Sequence, residues 1–373
     1  MRRRVALIGA TGSIGTQTLQ VLSDNREQFE LVALAVGRES AASRELADGQ
    51  PGVRFHVGLS GEQLSEAILE ATPDLVVAAA TGLVGMHATI AALDAGAAVA
   101  IANKEAIVAG GELVIGAARR AAARSRTSLL ERLRPVDSEH SALWQCLAGE
   151  GSERIKRLWL TASGGPFRTW DAARISRATA DDALHHPTWK MGGKITIDSA
   201  SLVNKGLEVI EAHRLFDVPM ERIGILVHPQ SVVHGAVSFT DGSMKAQMGE
   251  PDMRGPISYA LHYPDRSPHP WQSVDLAGMG ELTFEAPDLV RFPGLAIALA
   301  AGARGGTAPA ALIVADDVAT TRFLAGEISF GAIPSLLSAA IERFGMLPEA
   351  EDLATLFNLE REVRHFAERW RSA

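Results

Sequence analysis

The sequence predicts an α/β protein in three parts: an N-terminal parallel sheet, a central mixed α/β region and a C-terminal bundle of helices. Three observations carry that expectation. Short apolar runs alternate with alanine-rich helical stretches up to about residue 130; strand-like runs among loops rich in Gly, Ser, His and Pro follow; from Pro293 onward the pattern is helical. Strands alternating with helices imply a parallel sheet with helices on both faces. A length of 373 residues suits two or three cores at roughly 150 residues each. The division expected is 1–130, 131–263, a linker over 264–290 and a helical domain over 291–373.

The elements follow in order. Residues 5–8 form an apolar run without polar alternation, ending in Gly9-Ala10-Thr11-Gly12-Ser13-Ile14-Gly15, and a helical stretch over 16–22 succeeds it. That is a buried strand, a tight glycine turn and a helix. Residues 31–36, 74–79 and 97–102 read as further strands, with a helix over 86–95 between the last two. In the central region 158–161, 223–227 and 235–239 are strand-like. Near the C-terminus 335–344 reads as helix, and Leu356, Leu359, Val363, Phe366 and Trp370 recur at spacings of three and four, the apolar face of another. The proline-rich stretch Tyr263-Pro264-Asp265-Arg266-Ser267-Pro268-His269-Pro270 marks the linker.

Composition removes several function classes. A hydrophobic fraction of 47% with 21% charged residues is that of a folded globular chain. With 36 Lys+Arg against 44 Asp+Glu the net charge is -8, which argues against nucleic acid, because phosphate-backbone binding needs clustered cations. One cysteine, Cys146, excludes an intramolecular disulfide and a thiolate-built metal site. Any metal must then sit on carboxylates or imidazoles. The N-terminal run Arg2-Arg3-Arg4 is basic, but the apolar residues after it stop at Gly9, too soon for a signal peptide. No stretch of about 18 apolar residues follows, so a soluble, cytoplasmic protein is expected.

Gly9, Gly12 and Gly15 stand where a dinucleotide fold brings backbone amides to a pyrophosphate at a helix N-terminus. The spacing is GxxGxxG, and a glycine triplet also occurs in plain tight turns; its position and the βαβ pattern behind it favour a Rossmann-like cofactor site. About 20 residues further on come Gly37-Arg38-Glu39. Arg38 suits the 2′-phosphate of NADPH and Glu39 the free ribose hydroxyl of NADH, so the pair is ambiguous by itself. Asn103-Lys104-Glu105 follow the fourth strand, at the carboxyl edge where open α/β sheets bind ligands.

The candidate chemistry lies beyond. Asp137 and Glu139, two residues apart in Pro135-Val136-Asp137-Ser138-Glu139-His140, project to one side if the segment is extended. Like charges so placed call for a cation, and Mg²⁺ or Mn²⁺ is the natural one; the bland alternative is an exposed acidic loop. Residues 197–211 read as a loop entering a helix, with Asn204, Lys205 and Glu208 on one face. An amide, an ammonium and a carboxylate there can serve a phosphorylated substrate and a metal, or be a surface ion pair, and spacing leaves Glu208 and Glu211 both open. Ser163-Gly164-Gly165 after a strand suits an anion-cradling turn. Residues 185–194, with His185, His186 and Trp189 between glycines, have the composition of a lid. His228 and His234 read as strand-end residues, for packing or for function.

Taken together, the runs GATGSIG, NKE, PVDSEHSA, LTASGGPF, HPTWKMGGKITIDSASLVNKGLEVIEA, HPQSVVHG and GEPDMRGPI, colinear over residues 5 to 257, resemble 1-deoxy-D-xylulose 5-phosphate reductoisomerases. The resemblance implies a Rossmann domain, a catalytic domain, a helical C-terminal domain and a homodimer. It also implies NADPH- and Mn²⁺- or Mg²⁺-dependent conversion of 1-deoxy-D-xylulose 5-phosphate to 2-C-methyl-D-erythritol 4-phosphate, in non-mevalonate isoprenoid synthesis. By motif, Asp137, Glu139 and Glu208 would ligate the metal. Ser163, Ser199, Asn204 and His186 would hold the substrate phosphate; Lys104, Ser138 and Lys205 would meet its oxygens, with Trp189 covering it and Glu208 reaching it through the metal. Thr11, Gly12, Ser13, Ile14, Gly37, Arg38, Glu39, Asn103, Glu105 and Gly192 would line the NADPH site, and Lys104, Glu139 and His186 are the expected catalytic residues.

Three departures from the family pattern accompany the resemblance. Glu39 stands where members carry Asn, which bears on NADPH selectivity. The arginine-rich segment 119–134 is longer than the family's and bears on the geometry around Asp137. Ile313-Val314-Ala315-Asp316-Asp317 replaces Asn-Ala-Ala-Asn-Glu, with only a packing consequence expected. A rival enzyme reading is an NADP-dependent dehydrogenase of another small phosphorylated substrate, without rearrangement or metal. A rival of another class is a non-catalytic NADPH sensor, which has no use for the carboxylate and hydroxyl set.

Overall fold

The structure, a computed structural model, describes residues 1–189, 191–268 and 273–371. Lys190 of the expected lid and residues 269–272 of the linker, His269 and Pro270 included, lie outside the described residues. The chain runs β1 (Arg3–Ile8), α1 (Ser13–Asp24), β2 (Phe29–Val36), α2 (Ala41–Asp48), β3 (Arg54–Val57), α3 (Gly61–Leu69), β4 (Leu75–Ala78), α4 (Met86–Ala95) and β5 (Ala98–Ile101). It continues through α5 (Lys104–Ser125), α6 (Leu129–Arg132), β6 (Leu133–Pro135), α7 (Ser138–Leu147), β7 (Ile155–Ala162), α8 (Ala172–Ile175), α9 (Ala180–Leu184), α10 (Gly193–Ala200) and α11 (Val203–Phe216). Then come β8 (Ile223–Val227), β9 (Val233–Phe239), β10 (Met244–Met248), α12 (Arg254–His262) and the helices α13 (Pro293–Arg304), α14 (Ala308–Leu324), α15 (Ala332–Phe344) and α16 (Leu353–Arg369). Among the described residues no helix is long and apolar enough to cross a membrane.

Contacts group the chain into two compact units. The first takes Met1–Trp144 and the segment that returns at Asp252. Its six strands lie in the order β3-β2-β1-β4-β5-β6, and every pairing is parallel. β4 (LVVA) and β5 (AVAI) are buried at every position, as strands covered on both faces must be. The sequence reading missed β3 and β6. β3 (RFHV) is an edge strand without an apolar run, and β6 is three residues ending in Pro135, a residue tolerated at a sheet edge. Because β6 pairs with β5, the parallel sheet continues past residue 130. α12 then brings Ile257, Ala260 and Leu261 into the same core as Val5, Leu34, Val77 and Ala100.

Most of the arginines of 119–134 are taken up within this unit. Arg119 pairs with Glu112 and Arg120 with Asp94, Arg124 donates to Leu93 O, and buried Arg134 donates to Ala260 O at 2.7 Å. β6 keeps a regular register, Leu133 opposite Val99 and Pro135 opposite Ile101, just ahead of Asp137.

The second unit holds the sheet β10-β9-β7-β8, in which β7 and β8 are parallel and the other neighbours antiparallel, together with helices α13 to α16. The helical region begins at Pro293, as the pattern predicted. α11 approaches α13 closely at Gly206, where any Cβ would collide with Ala298.

Candidate active site

The glycine turn joins β1 to α1. Gly9 sits at φ +86°, and a Cβ on it would lie 2.5 Å from Ala79 O; one on Gly15 would lie 2.7 Å from the Ala10 backbone. Both glycines are demanded by the fold itself. Gly12 is different. It is the exposed N-cap of α1, and a Cβ there would meet only Gly9 O at 3.4 Å, an ordinary contact. The fold therefore does not require a glycine at position 12, and a helix start with no side-chain cap and no acidic residue in its first turn suits an anion. Thr11 and Ser13 beside it are also exposed, and Ile14 is half-buried.

At the end of β2, Gly37, Arg38 and Glu39 are exposed. The ambiguity of that pair acquires a third member: Glu39 forms an ion pair with Arg44 of α2 at 3.5 Å. At the end of β5, Asn103 caps α5, accepting from Ala106 N at 2.7 Å and donating to Gly82 O at 2.6 Å and to Ala80 O. Its amide ties the β4–α4 loop to the helix. Glu105 is half-buried in the first turn of α5.

Asp137 and Glu139 are not on an extended segment. Asp137 precedes α7 and accepts from Glu139 N at 3.1 Å, the bond of a residue capping a helix, and Glu139 lies in the first turn. Helix propensity and the cap won over the strand that ends at Pro135. Lys104 Nζ lies 2.9 Å from Asp137 Oδ2, both side chains largely buried, and Ser138 Oγ donates to Glu139 Oε2 at 2.7 Å. Nδ1 of the fully buried His140 lies 3.1 Å from Asp137 Oδ1. The sequence pattern assigns His140 no role, and an Asp followed three residues later by His at a helix start is the signal that marks it.

In the second unit, Ser163 follows β7, and Gly164 and Gly165 take φ +87° and +66°. Ser163 Oγ accepts from Gly165 N at 3.1 Å and faces His186 Nε2 at 3.0 Å; the same nitrogen lies 3.2 Å from Ser199 Oγ. His186 Nδ1 accepts from Trp189 N at 2.9 Å and Thr188 N at 3.2 Å, so Nδ1 carries no proton and Nε2–H points between the two serines. Burial lowers the His186 pKa to about 4, so the ring is neutral near pH 7. Three donors from residues 163, 186 and 199 thus converge, a geometry that suits a phosphate. Trp189 lies near His234, ring centroids 6.0 Å apart. His234 is buried on β9 and bonded to Gly249 O, and His228, just past β8, stacks on Phe284.

Residues 197–200 are helical, not a loop: α10 carries Ser199, and Gly192 is its exposed N-cap. Small and β-branched residues hid a helix packed by tertiary contacts. α11 begins after Leu202, held at φ +58°, a costly conformation for leucine. Its first turns present the expected face: Asn204 Nδ2 donates to Glu208 Oε1 at 2.5 Å and Lys205 Nζ to Glu208 Oε2. Lys205 is 4% and Glu208 1% exposed, which rules out the surface-pair reading. Glu208 is thus a buried carboxylate with an ammonium and an amide against it.

Comparison with known proteins shows the family. Family models described as 1-deoxy-D-xylulose 5-phosphate reductoisomerase match residues 5–53 and 43–111, those of its C-terminal domain match 133–216, and those of the DXP reductoisomerase C-terminal domain match 248–366. A 1-deoxy-D-xylulose 5-phosphate reductoisomerase of Desulfitobacterium hafniense is 44% identical over 97% of both chains, and that of Pelotomaculum thermopropionicum 46% over 92% of both. The chain belongs to the 1-deoxy-D-xylulose 5-phosphate reductoisomerase family. The Zymomonas mobilis reductoisomerase in complex with NADPH superposes with a TM-score of 0.86 at 36% identity, covering 99% of this chain and 98% of that one. A reductoisomerase bound to NADPH, fosmidomycin and magnesium gives 0.86 at 35%, covering 98% and 97%. Within the reductoisomerase fold, the expected residues gather as Lys104 with Asp137, Ser138 with Glu139, Ser163 with His186 and Ser199, and Asn204 and Lys205 with Glu208. Arg38 and Glu39 do not pair, and Glu39 goes to Arg44.

Proposed function

We propose that this chain converts 1-deoxy-D-xylulose 5-phosphate to 2-C-methyl-D-erythritol 4-phosphate, using NADPH and Mg²⁺ or Mn²⁺. The observation that carries the reading is the donor trio of Ser163, neutral His186 and Ser199, close in sequence to the buried Asn204–Lys205–Glu208 face of the same unit. One group suits a phosphate and the other the polar, reacting end of its substrate. Residues 1–130 are assigned to NADPH, 131–263 to metal and substrate, 264–290 to the linker, and 291–373 to a helical domain supporting α10 and α11.

NADPH is assigned to the turn at Thr11, Gly12, Ser13 and Ile14 and to Gly37, Arg38, Glu39, Asn103 and Glu105, since Gly12 leaves room that the fold does not need; Gly192 is assigned to it by motif. The all-oxygen set Asp137, Glu139 and Glu208 fits a hard divalent cation. When bound, that cation supplies Lewis acidity at the substrate ketone, and the nicotinamide supplies hydride. The chain's own residues do the rest. Lys104 and Lys205 offer ammonium groups to substrate oxygens, Ser138 orients the Glu139 carboxylate, and Asn204 and Lys205 hold the Glu208 carboxylate in place. Lys104 and Glu139 are the groups placed to move a proton. His186, Ser163 and Ser199 hold the remote phosphate, and Trp189 covers the substrate, so binding energy is directed to orientation. A homodimer in the cytoplasm is proposed with this activity, and light scattering on the purified protein tests the dimer.

The deciding experiment follows nicotinamide absorbance with 1-deoxy-D-xylulose 5-phosphate and Mg²⁺ or Mn²⁺, with and without chelator. Metal-dependent oxidation of NADPH with a branched tetrol phosphate as product is expected. Full activity in chelator supports instead the simple dehydrogenase without rearrangement.

A further inference from the structure

Helix α10 is fastened to α14 by a buried charge cluster that the chemistry above does not use. Lys194 Nζ lies 2.7 Å from Asp198 Oδ2 and 2.7 Å from Asp316 Oδ2. Thr320 Oγ1, one turn along α14, donates to Asp198 Oδ1 at 3.3 Å. The carboxylates are 2% and 1% exposed. Asp316 packs as expected and also carries a charge there: two buried acids share the Lys194 ammonium, a costly arrangement with both ionised. Ser199, adjacent to Asp198 on α10, is one of the donors around His186 Nε2.

We propose that Asp316 is a positioning residue for the substrate phosphate: through Lys194 and Asp198 it clamps α10 to α14, and its ionisation weakens phosphate binding at Ser199. The proposal rests on assigning Ser163, His186 and Ser199 to the phosphate. Burial first, and then the Asp198 charge, raise the Asp316 pKa to about 7, with Lys194 opposing them. These α10 groups are the charges that act on it. Asp317, the next residue, pairs with Arg364 of α16, which also holds Glu360. A carboxyl raised in the folded state stabilises the fold below its unfolded pKa, and that stability is lost as pH rises through about 7.

The test measures KM for 1-deoxy-D-xylulose 5-phosphate and kcat from pH 6 to 8.5 for wild type, Asp316→Asn and Ser199→Ala, with melting temperatures alongside. Asp316→Asn is nearly isosteric and removes the charge. The ratio of wild-type to Asp316→Asn KM should rise by about two- to fivefold across this range, the scale of one added charge several ångströms away. The kcat ratio should stay level, and wild type should lose melting temperature relative to the variant as pH rises from 6 to about 7, with the difference levelling off above that. Comparing two proteins on one substrate cancels titration of the phosphate itself. A pH-independent KM ratio, with Ser199→Ala still raising KM, overturns the clamp alone. An unchanged KM in Ser199→Ala overturns the phosphate assignment. If Asp316→Asn does not fold, Thr320→Val takes its place: losing a donor to Asp198 should move the midpoint of the KM profile upward, and an unmoved midpoint overturns the proposal.

Discussion

Two turns follow parallel strands in this molecule, the glycine turn after β1 and the Ser163 turn after β7, and they offer an anion different things. The first is local: seven consecutive residues bring backbone amides to a helix start, with Gly9 and Gly15 excluded from substitution by the backbone around them. The second is assembled from residues 163, 186 and 199, and its donors are side chains. A backbone site does not titrate but cannot accept a Cβ; a side-chain site can be altered atom by atom and responds to pH. The difference separates what the cofactor end and the substrate end of this protein depend on.

The largest effect breaks the comparison by separating binding from chemistry. Glu208→Gln should lower turnover by roughly a thousandfold or more, as loss of a metal-ligating charge does, while NADPH affinity measured by nicotinamide fluorescence stays unchanged. Retained turnover removes Glu208 from the metal site. Next come the glycines. Gly15→Ala should cost both melting temperature and NADPH binding, because its Cβ meets backbone. Gly12→Ala should keep the melting temperature and lose about tenfold in NADPH affinity; equal damage by both would mean that Gly12 is needed by the fold alone.

At the substrate end, His186→Gln should raise the substrate KM by roughly ten- to a hundredfold, the worth of one hydrogen bond to a charged group. Its depressed pKa has a sign that can be checked. The folded state resists protonation, so the unfolded chain binds more protons between about pH 6.5 and 4, and stability falls as pH falls through that window. Wild-type melting temperature should therefore drop on acidification more than that of His186→Gln; parallel curves would show that His186 is not buried neutral. The smallest effect concerns Arg44. Its pair with Glu39 is exposed, so Arg44→Ala should shift the NADPH-to-NADH affinity ratio toward NADH by only about two- to fivefold. An unchanged ratio would leave Arg38 alone in charge of that choice.

Much of this was legible beforehand, and the failures share one cause. β4 and β5 are legible nearly as they stand, since buried strands are apolar runs, and β8 is legible from its apolar composition although it is only partly buried. β3 and β6 were missed because an edge strand and a three-residue strand need no such run. α10 was read as loop and Asp137–Glu139 as extended, because a cap and tertiary packing, not local pattern, set those conformations. Asn204, Lys205 and Glu208 were placed on one face correctly, since helical periodicity is local.

The sequence by itself determined the class of fold, the glycine turn, the helical face of α11 and, through its motifs, the family. Only the tertiary structure decided which side chains meet across long separations: His186 between Ser163 and Ser199, His140 on Asp137, Arg44 on Glu39, and Lys194 between Asp198 and Asp316. Periodicity and turn chemistry act over a few residues and are written in the chain. Burial, tautomer and shared charge depend on which elements pack together, and no single segment contains them.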